Sequence, residues 1–342
     1  MHILKGYTKQ EISWMMYDWA NSAHSVIIVT LLPIFFDTVA GYTADSVSSM
    51  STWGYATSIA MLIVALAAPF LGVFGDIRGM RKKLFSFFML LGVAACAGMA
   101  FTPGMDFNSG PVAAGKVASL ILVLYIVSVI GFDASAIYYD AFLTDVTIED
   151  RMDKVSTMGY GLGYIGGSTI PLLIFLIMNL VGVPMLTCLA FVFGLTAVWW
   201  LAFSLPLLKN CEQTSGKPYE KGDVARSIKG VGTTIKEIIA NKPMLIYILS
   251  YFFYIDGVHT VISMATTYGT NLGLDSTGMM LALLLVQILG LPFCLLYIKC
   301  SEKFGARTMV GFGICVYMFI CIFAFFMNSL WQFWVLAVLC AT

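Results

Sequence analysis

Runs of about 20 mostly apolar residues recur along the whole 342-residue chain, separated by short breaks rich in charge, Gly or Pro. A helix of that length crosses the hydrocarbon core of a bilayer, and in lipid only helices and closed barrels pair every backbone N–H and C=O. A soluble domain has no place for so much apolar surface. Hydrophobic residues make up 59% of the chain and charged residues 11%, against about 25% charged in ordinary soluble domains, and mean hydropathy is +0.88. The pattern predicts an all-α polytopic membrane protein with about 9 to 10 transmembrane helices. Spans are expected near residues 14–39, 52–74, 84–104, 117–139, 157–180, 184–207, 243–268, 276–298 and 308–328, with a tenth starting near Trp331. The first run contains Asp18, Asn21 and His24, where a signal peptide has a plain apolar core, so it is expected to persist as span one.

Net charge is zero, so it is the placement of the charges that informs. With these spans, every one of the 19 Lys and Arg residues except Lys116 falls on a single side of the membrane. The positive-inside rule then puts the N-terminus and these loops in the cytoplasm and the chain in the cell membrane. Trp14, Trp53, Trp199, Trp200, Trp331 and Trp334 sit near span ends, where indoles favour the interface. The eight cysteines form no Cys-x-x-Cys pair and mostly lie within apolar runs, which reads as reduced thiols and not as a metal site or disulfide framework. The one sizeable polar stretch, Lys209 to Lys242, divides the chain into an N-terminal six-helix bundle (1–207), a cytoplasmic linker (208–242) and a partial C-terminal bundle (243–342). Within the linker, charged residues alternate with Val224, Ile228, Ile235 and Ile238, a pattern that fits an amphipathic surface helix or a solvated connector.

Two loops share the order acid-x-x-Gly-x-Arg: Asp76, Gly79 and Arg81 after span two, with Gly72 upstream, and Glu302, Gly305 and Arg307 after span eight. The acid ends one helix, the Gly allows a tight turn and the base opens the next helix, a set suited to an inter-helix latch. The loops are equivalent if six spans make one repeat. The first resembles the loop signature of the major facilitator superfamily, with Ile77 where that signature has a base. Further strings, Tyr17-Asp18-Trp19-Ala20-Asn21-Ser22-Ala23, Tyr139-Asp140-Ala141-Phe142-Leu143 and Asp256-Gly257-Val258-His259-Thr260, resemble its UMF1 branch, related to the fungal vacuolar effluxer Atg22. The resemblance implies the major facilitator fold: two six-helix bundles, a cavity lined by spans one, four, seven and ten, and a solute transporter. Since the chain ends inside span ten, it also implies a C-terminally truncated second bundle.

Span one carries Asp18, Asn21, Ser22 and Ser25 at helical spacing, and span seven carries Asp256, His259, Thr260, Ser263 and Thr267. Ionisable groups are costly in hydrocarbon, so these stripes are expected to face protein or a wet cavity, along with Tyr139, Asp133 and Asp140 of span four. No Lys or Arg lies well inside a span to pair with these acids, and imidazole is the side chain best suited to exchanging protons at physiological pH. Asp256 and His259 are therefore expected to form a proton- or cation-sensitive pair. His24 is expected to be satisfied by a neighbouring helix. Gly161, Gly163 and Gly166 mimic a dinucleotide-binding string but lack the preceding strand and the later acid. Gly159, Gly163 and Gly167 instead offer a smooth face for close helix packing. No nucleophile-and-base motif, phosphate loop or metal cluster appears, so neither an enzyme nor a cofactor is expected, and nucleic acid is not an expected partner. The expected function is alternating-access secondary transport of a small polar solute, amino acids being one class and a co-transported proton one coupling, by a monomer. A non-transporting sensor and a non-functional fragment are the alternatives.

Overall fold

A computed structural model of the chain describes residues 4–43, 46–216, 218 and 223–341, apart from the side chains of 29, 46–50, 223–229, 234, 263, 264, 266, 267, 270, 271, 276 and 277. The described residues form helices and no β-strand: α1 (Lys9–Ala40), α2 (Ser46–Gly75), α3 (Arg81–Met99), α4 (Pro111–Val146), α5 (Glu149–Gly163), α6 (Ile170–Leu180), α7 (Met185–Asn210), α8 (Asp223–Ala240), α9 (Lys242–Asn271), α10 (Ser276–Phe304), α11 (Ala306–Phe325) and α12 (Leu330–Cys340). Nine segments among them are long and apolar enough to cross a membrane, and α12 is a shorter apolar helix. α5 and α6 form one such segment, Glu149–Leu180, because the residues between them, Tyr164–Thr169, continue as a π-helical turn. The expected single helix over 157–180 is thus longer at its start and carries a wide turn in its middle.

Packing divides the chain into two compact units, Met1–Val224 and Ala225–Thr342. Unit one opens with a capping box: the Glu11 N–H donates to Thr8 Oγ1 at 3.1 Å and the Thr8 N–H to Glu11 Oε2 at 2.7 Å, satisfying backbone donors that a helix start leaves free. Pro111 opens α4, where a missing N–H costs nothing. α3 and α4 meet backbone to backbone: a Cβ on Gly131 would stand 2.5 Å from the Gly92 N, and the Trp200 ring covers Gly92 from α7. Within unit one Trp14, Tyr17, Phe85, Phe142, Phe193 and Trp200 are fully or almost fully buried. In Trp14 and Trp200 the structure corrects the expected interfacial placement, since both rings fill the interior of the unit. The Trp14 N–H reaches the Tyr139 carbonyl at 2.9 Å and that of Trp200 the Tyr17 hydroxyl at 3.3 Å, which satisfies the polar edge that would otherwise draw an indole to the interface.

Unit two has its own smaller core, in which Met279 and Ala282 of α10, Ile320 of α11 and Phe333, Leu336 and Ala337 of α12 pack together. α9 contributes little to it: from Met244 to Phe253 most of its side chains are exposed on this unit. Among the described residues no cysteine forms a disulfide, and Cys96, Cys188 and Cys211 are buried.

Candidate functional site

The polar stripe of span one lies on the face of α1 turned toward α4 and α5. Asp18 Oδ2 accepts a hydrogen bond from the Tyr139 hydroxyl of α4 at 2.8 Å. Tyr139 is held by Trp14, which stacks on its ring at 4.3 Å and 13° while bonding its carbonyl. One turn on, the Tyr17 hydroxyl meets Ser135 Oγ at 2.8 Å. His24 Nε2 meets Ser128 Oγ at 3.2 Å, and its ring stacks on Phe132. The neighbouring helix therefore satisfies one nitrogen of His24; the other, Nδ1, is buried and has no hydrogen-bond partner among the described residues.

The glycines of the fifth span let the chain approach this stripe. A Cβ on Gly159 would lie 2.6 Å from Asp18 Oδ2, one on Gly163 2.5 Å from Ser22 Oγ, and one on Gly167 2.5 Å from the Trp19 carbonyl. The Trp19 ring rests directly on Gly166 within the π-helical turn. Asn21 is buried on the same helix. Chemically, this corner pairs a carboxylate acceptor with a phenol donor, backed by a hydroxyl and an amide, a set able to receive an ammonium, a hydroxyl or a proton.

Two further expected acids, Asp133 and Asp140, lie on α4 as well. Asp133 is half-buried and Asp140 exposed, so these two acids, seven apart, do not share one environment; among the described residues neither takes a hydrogen-bond partner. Asp256, His259 and Thr260 follow one another at helical spacing on α9 of unit two and are exposed on that unit. The side chains of Ser263 and Thr267 lie outside the described residues.

At one end of unit one, Arg81 of the first loop keeps a long contact to Asp76 and makes a stronger one elsewhere. Gly79 has φ +81°, and Gly305 in the second loop φ +82°, so both loops turn at a glycine in a conformation that side chains disfavour. The main partner of Arg81 is not Asp76, which is 80% exposed with its carboxylate 3.9 Å away, but Asp145 at the end of α4, whose side chain is wholly buried and pairs with Arg81 Nη1. The guanidinium also donates to the Ala141 carbonyl at 3.0 Å. The physical reason is solvation: a buried guanidinium needs a buried, hydrogen-bonded counter-charge, which exposed Asp76 does not offer. Gly72 has open space around it, while Gly75 lies against the Tyr138 ring. Glu302, Gly305 and Arg307 are exposed.

Residues 211–216, the start of the expected linker, close over this ion pair as a strap. Asp145 Oδ1 accepts from the N–H groups and hydroxyls of Thr214 and Ser215 at 2.8 to 3.1 Å. Gln213 Oε1 accepts from the Gly79 N–H at 2.8 Å, and its amide donates to the Gly75 carbonyl at 3.0 Å. Cys211 anchors the strap from below; burial pushes its thiol up to about 12, with the nearby Lys82 pulling the other way. A second clasp ties the start of α1 to the start of α5: buried Glu11 accepts from Arg151 Nε at 3.0 Å, Arg151 Nη2 at 2.9 Å and Thr147 Oγ1 at 2.7 Å. Asp145, Gln213 and Arg151 carry no local pattern that marks them; the Thr8-x-x-Glu11 spacing could have flagged Glu11 as a helix-start residue, but not its clasp to Arg151.

Residues 41–342 match the family model described as vacuole effluxer Atg22 like. A protein of Bacillus subtilis (strain 168) described as the uncharacterized MFS-type transporter YxiO is 40% identical over 348 residues, covering 99% of this chain and 78% of that one. Autophagy-related protein 22-1 of Penicillium rubens is 24% identical over 188 residues, 52% of this chain and 32% of its own length. Among solved structures, the xylose transporter XylE from E. coli in a partially occluded inward-open conformation has a TM-score of 0.54 at 12% identity, covering 97% of this chain and 83% of that one. At that identity the likeness speaks for the fold alone, which is the major facilitator fold.

Proposed function

The chain belongs to the Atg22-like vacuole effluxer family and is an MFS-type transporter, and on that premise we propose that it moves a small polar solute by alternating access. The observation that carries the proposal is the Asp18–Tyr139 hydrogen bond, set in a polar stripe that packs on bare glycine backbone. Asp18, Asn21, Ser22 and Tyr139, with Asp133 and Asp140 on α4, are the residues of unit one proposed to contact solute or ion. Asp256, His259 and Thr260 are those proposed in unit two. Amino acids are the first class to test, because an ammonium matches a carboxylate and a carboxyl or hydroxyl group matches Tyr, Asn and Ser donors. In this reading a proton is co-transported through the Asp256 and His259 pair. The transporter sits in the cell membrane as a monomer with its N-terminus in the cytoplasm, as the one-sided Lys and Arg distribution supports. The three glycines of the fifth span serve helix packing, and the two acid-x-x-Gly-x-Arg loops serve as latches.

The test is flux in proteoliposomes under an imposed pH gradient, with labelled amino acids scanned by counterflow. Asp18→Asn and Asp256→Asn are each expected to lower gradient-driven flux by about ten-fold or more, the worth of one charged hydrogen bond, while the protein stays monodisperse. Unchanged flux and pH response in Asp256→Asn would sink the coupling role. Solute binding without counterflow in the unsubstituted chain would replace transport with sensing.

A further inference from the structure

Of the helices described, α8 separates its apolar and polar residues most sharply. On a helix of 3.6 residues per turn, Val224, Ile228, Val231, Ile235, Ile238 and Ile239 fall within an arc of roughly 100°. Lys229 and Lys236, seven apart, flank one side of that arc, Asp223 flanks the other, and Arg226 and Glu237 fall opposite it. Ile235 and Ile239 are 50% and 58% exposed, and Lys236 is exposed beside them.

What lies against such a face is decided by where the helix ends. Only Asn241 separates α8 from α9. The Asn241 N–H donates to the Glu237 carbonyl at 3.0 Å, closing α8, and Asn241 Oδ1 accepts from the Met244 N–H at 3.3 Å, opening α9. The apolar segment Lys242–Ile262 therefore starts without a loop between, and consecutive Cα atoms are only about 3.8 Å apart. The C-terminal end of α8 is thus fixed at the level where the chain enters the bilayer. Its charged half bars it from crossing, and its exposed isoleucines are ill-suited to water; the headgroup boundary suits both halves at once.

We propose that α8 is a membrane-surface helix that docks its isoleucine face into the bilayer and holds anionic lipid headgroups through Lys229 and Lys236. Near an anionic surface each basic residue strengthens binding by roughly five-fold, so headgroup charge tunes how much of the time α8 is seated. The proposal needs the spans to cross a bilayer but is independent of solute, coupling ion and transport direction.

The test uses the full chain with its native cysteines replaced by serine or alanine, carrying either Ile235→Cys or Thr233→Cys labelled with an environment-sensitive fluorophore. It is reconstituted into vesicles of phosphatidylcholine alone or with one third phosphatidylglycerol. With phosphatidylglycerol, the probe at 235 is expected to be at least about three-fold less accessible to a neutral aqueous quencher than the probe at 233. Lys229→Glu with Lys236→Glu is expected to abolish most of that difference. Ile239→Cys provides a second reporter should the first variant fail to purify as a monodisperse protein. Water-like quenching at both 235 and 239 in every vesicle would make α8 a solvated connector and overturn the proposal. Protection that ignores lipid charge would overturn the role of the lysines in headgroup binding.

Discussion

Arg81 and Asp145 form a charge pair that is almost wholly out of water, so removing one partner leaves the other stranded. Asp145→Ala is expected to destabilise unit one by about 3–5 kcal/mol, read as a lowered melting temperature in detergent. The double variant Arg81→Met with Asp145→Ala should recover much of that loss; equal losses in both would show that the pair is not the cause. Cys211 makes a pH-dependent prediction. Its folded-state thiol is raised from 9.0 to about 12, so the unfolded chain ionises first and stability is lost as pH climbs through that window. A Cys211→Ala chain should lack that part of the decline in a melting series from pH 8 upward. These two residues also mark the limit of reading a sequence. The acid-x-x-Gly-x-Arg order located Arg81 and its turn, because a loop signature is local. It named the weaker of two acid partners, Asp76 at 3.9 Å, and missed Asp145, which is 64 residues away and looks like any other acid at the end of a span. The Glu11–Arg151 clasp spans 140 residues and is invisible for the same reason.

At the scale of helices, apolar run length located every span to within several residues, since lipid imposes length directly on sequence. Close packing was less legible. The glycine spacing of the fifth span was apparent, but the Gly92–Gly131 contact between α3 and α4 was not, because one glycine on each helix makes no pattern. Gly131→Ala would press a methyl group into the backbone of α3, which cannot yield as a side-chain tip can. It is expected to cost about 1–3 kcal/mol or more, whereas Gly115→Ala, in open space on the same helix, should be neutral to mildly stabilising. Comparable melting temperatures for the two variants would contradict the close approach. The burial of Trp14 and Trp200 belongs to this scale too: nearness to a span end suggested the interface, and the hydrogen-bond partners that let them go inside come from other helices.

For the whole molecule, the Lys and Arg distribution gives the sharpest expectation. In intact cells an impermeant maleimide should label a cysteine placed at Ser109 of an otherwise cysteine-free chain. One placed at Asp150 should react only after permeabilisation. Both positions are exposed on unit one, so the reverse result would invert the topology and not merely report burial. The family was legible from short strings in spans one, four and seven and from the loop after span two; the two acid-x-x-Gly-x-Arg loops turn at glycines of nearly the same φ. The wide turn in the fifth span was not, and it resolves a mismatch of period. Four residues overshoot a 3.6-residue turn by about 40°, so glycines spaced by four drift around a regular helix. The step from Gly159 to Gly163 drifts in this way. The step from Gly163 to Gly167 crosses the π-helical turn, where each turn holds about one residue more and four residues fall short of a full circle. The second drift cancels the first, and all three glycines remain against α1. The turn acts as a phase correction, setting a sequence of period four into a straight line of contact.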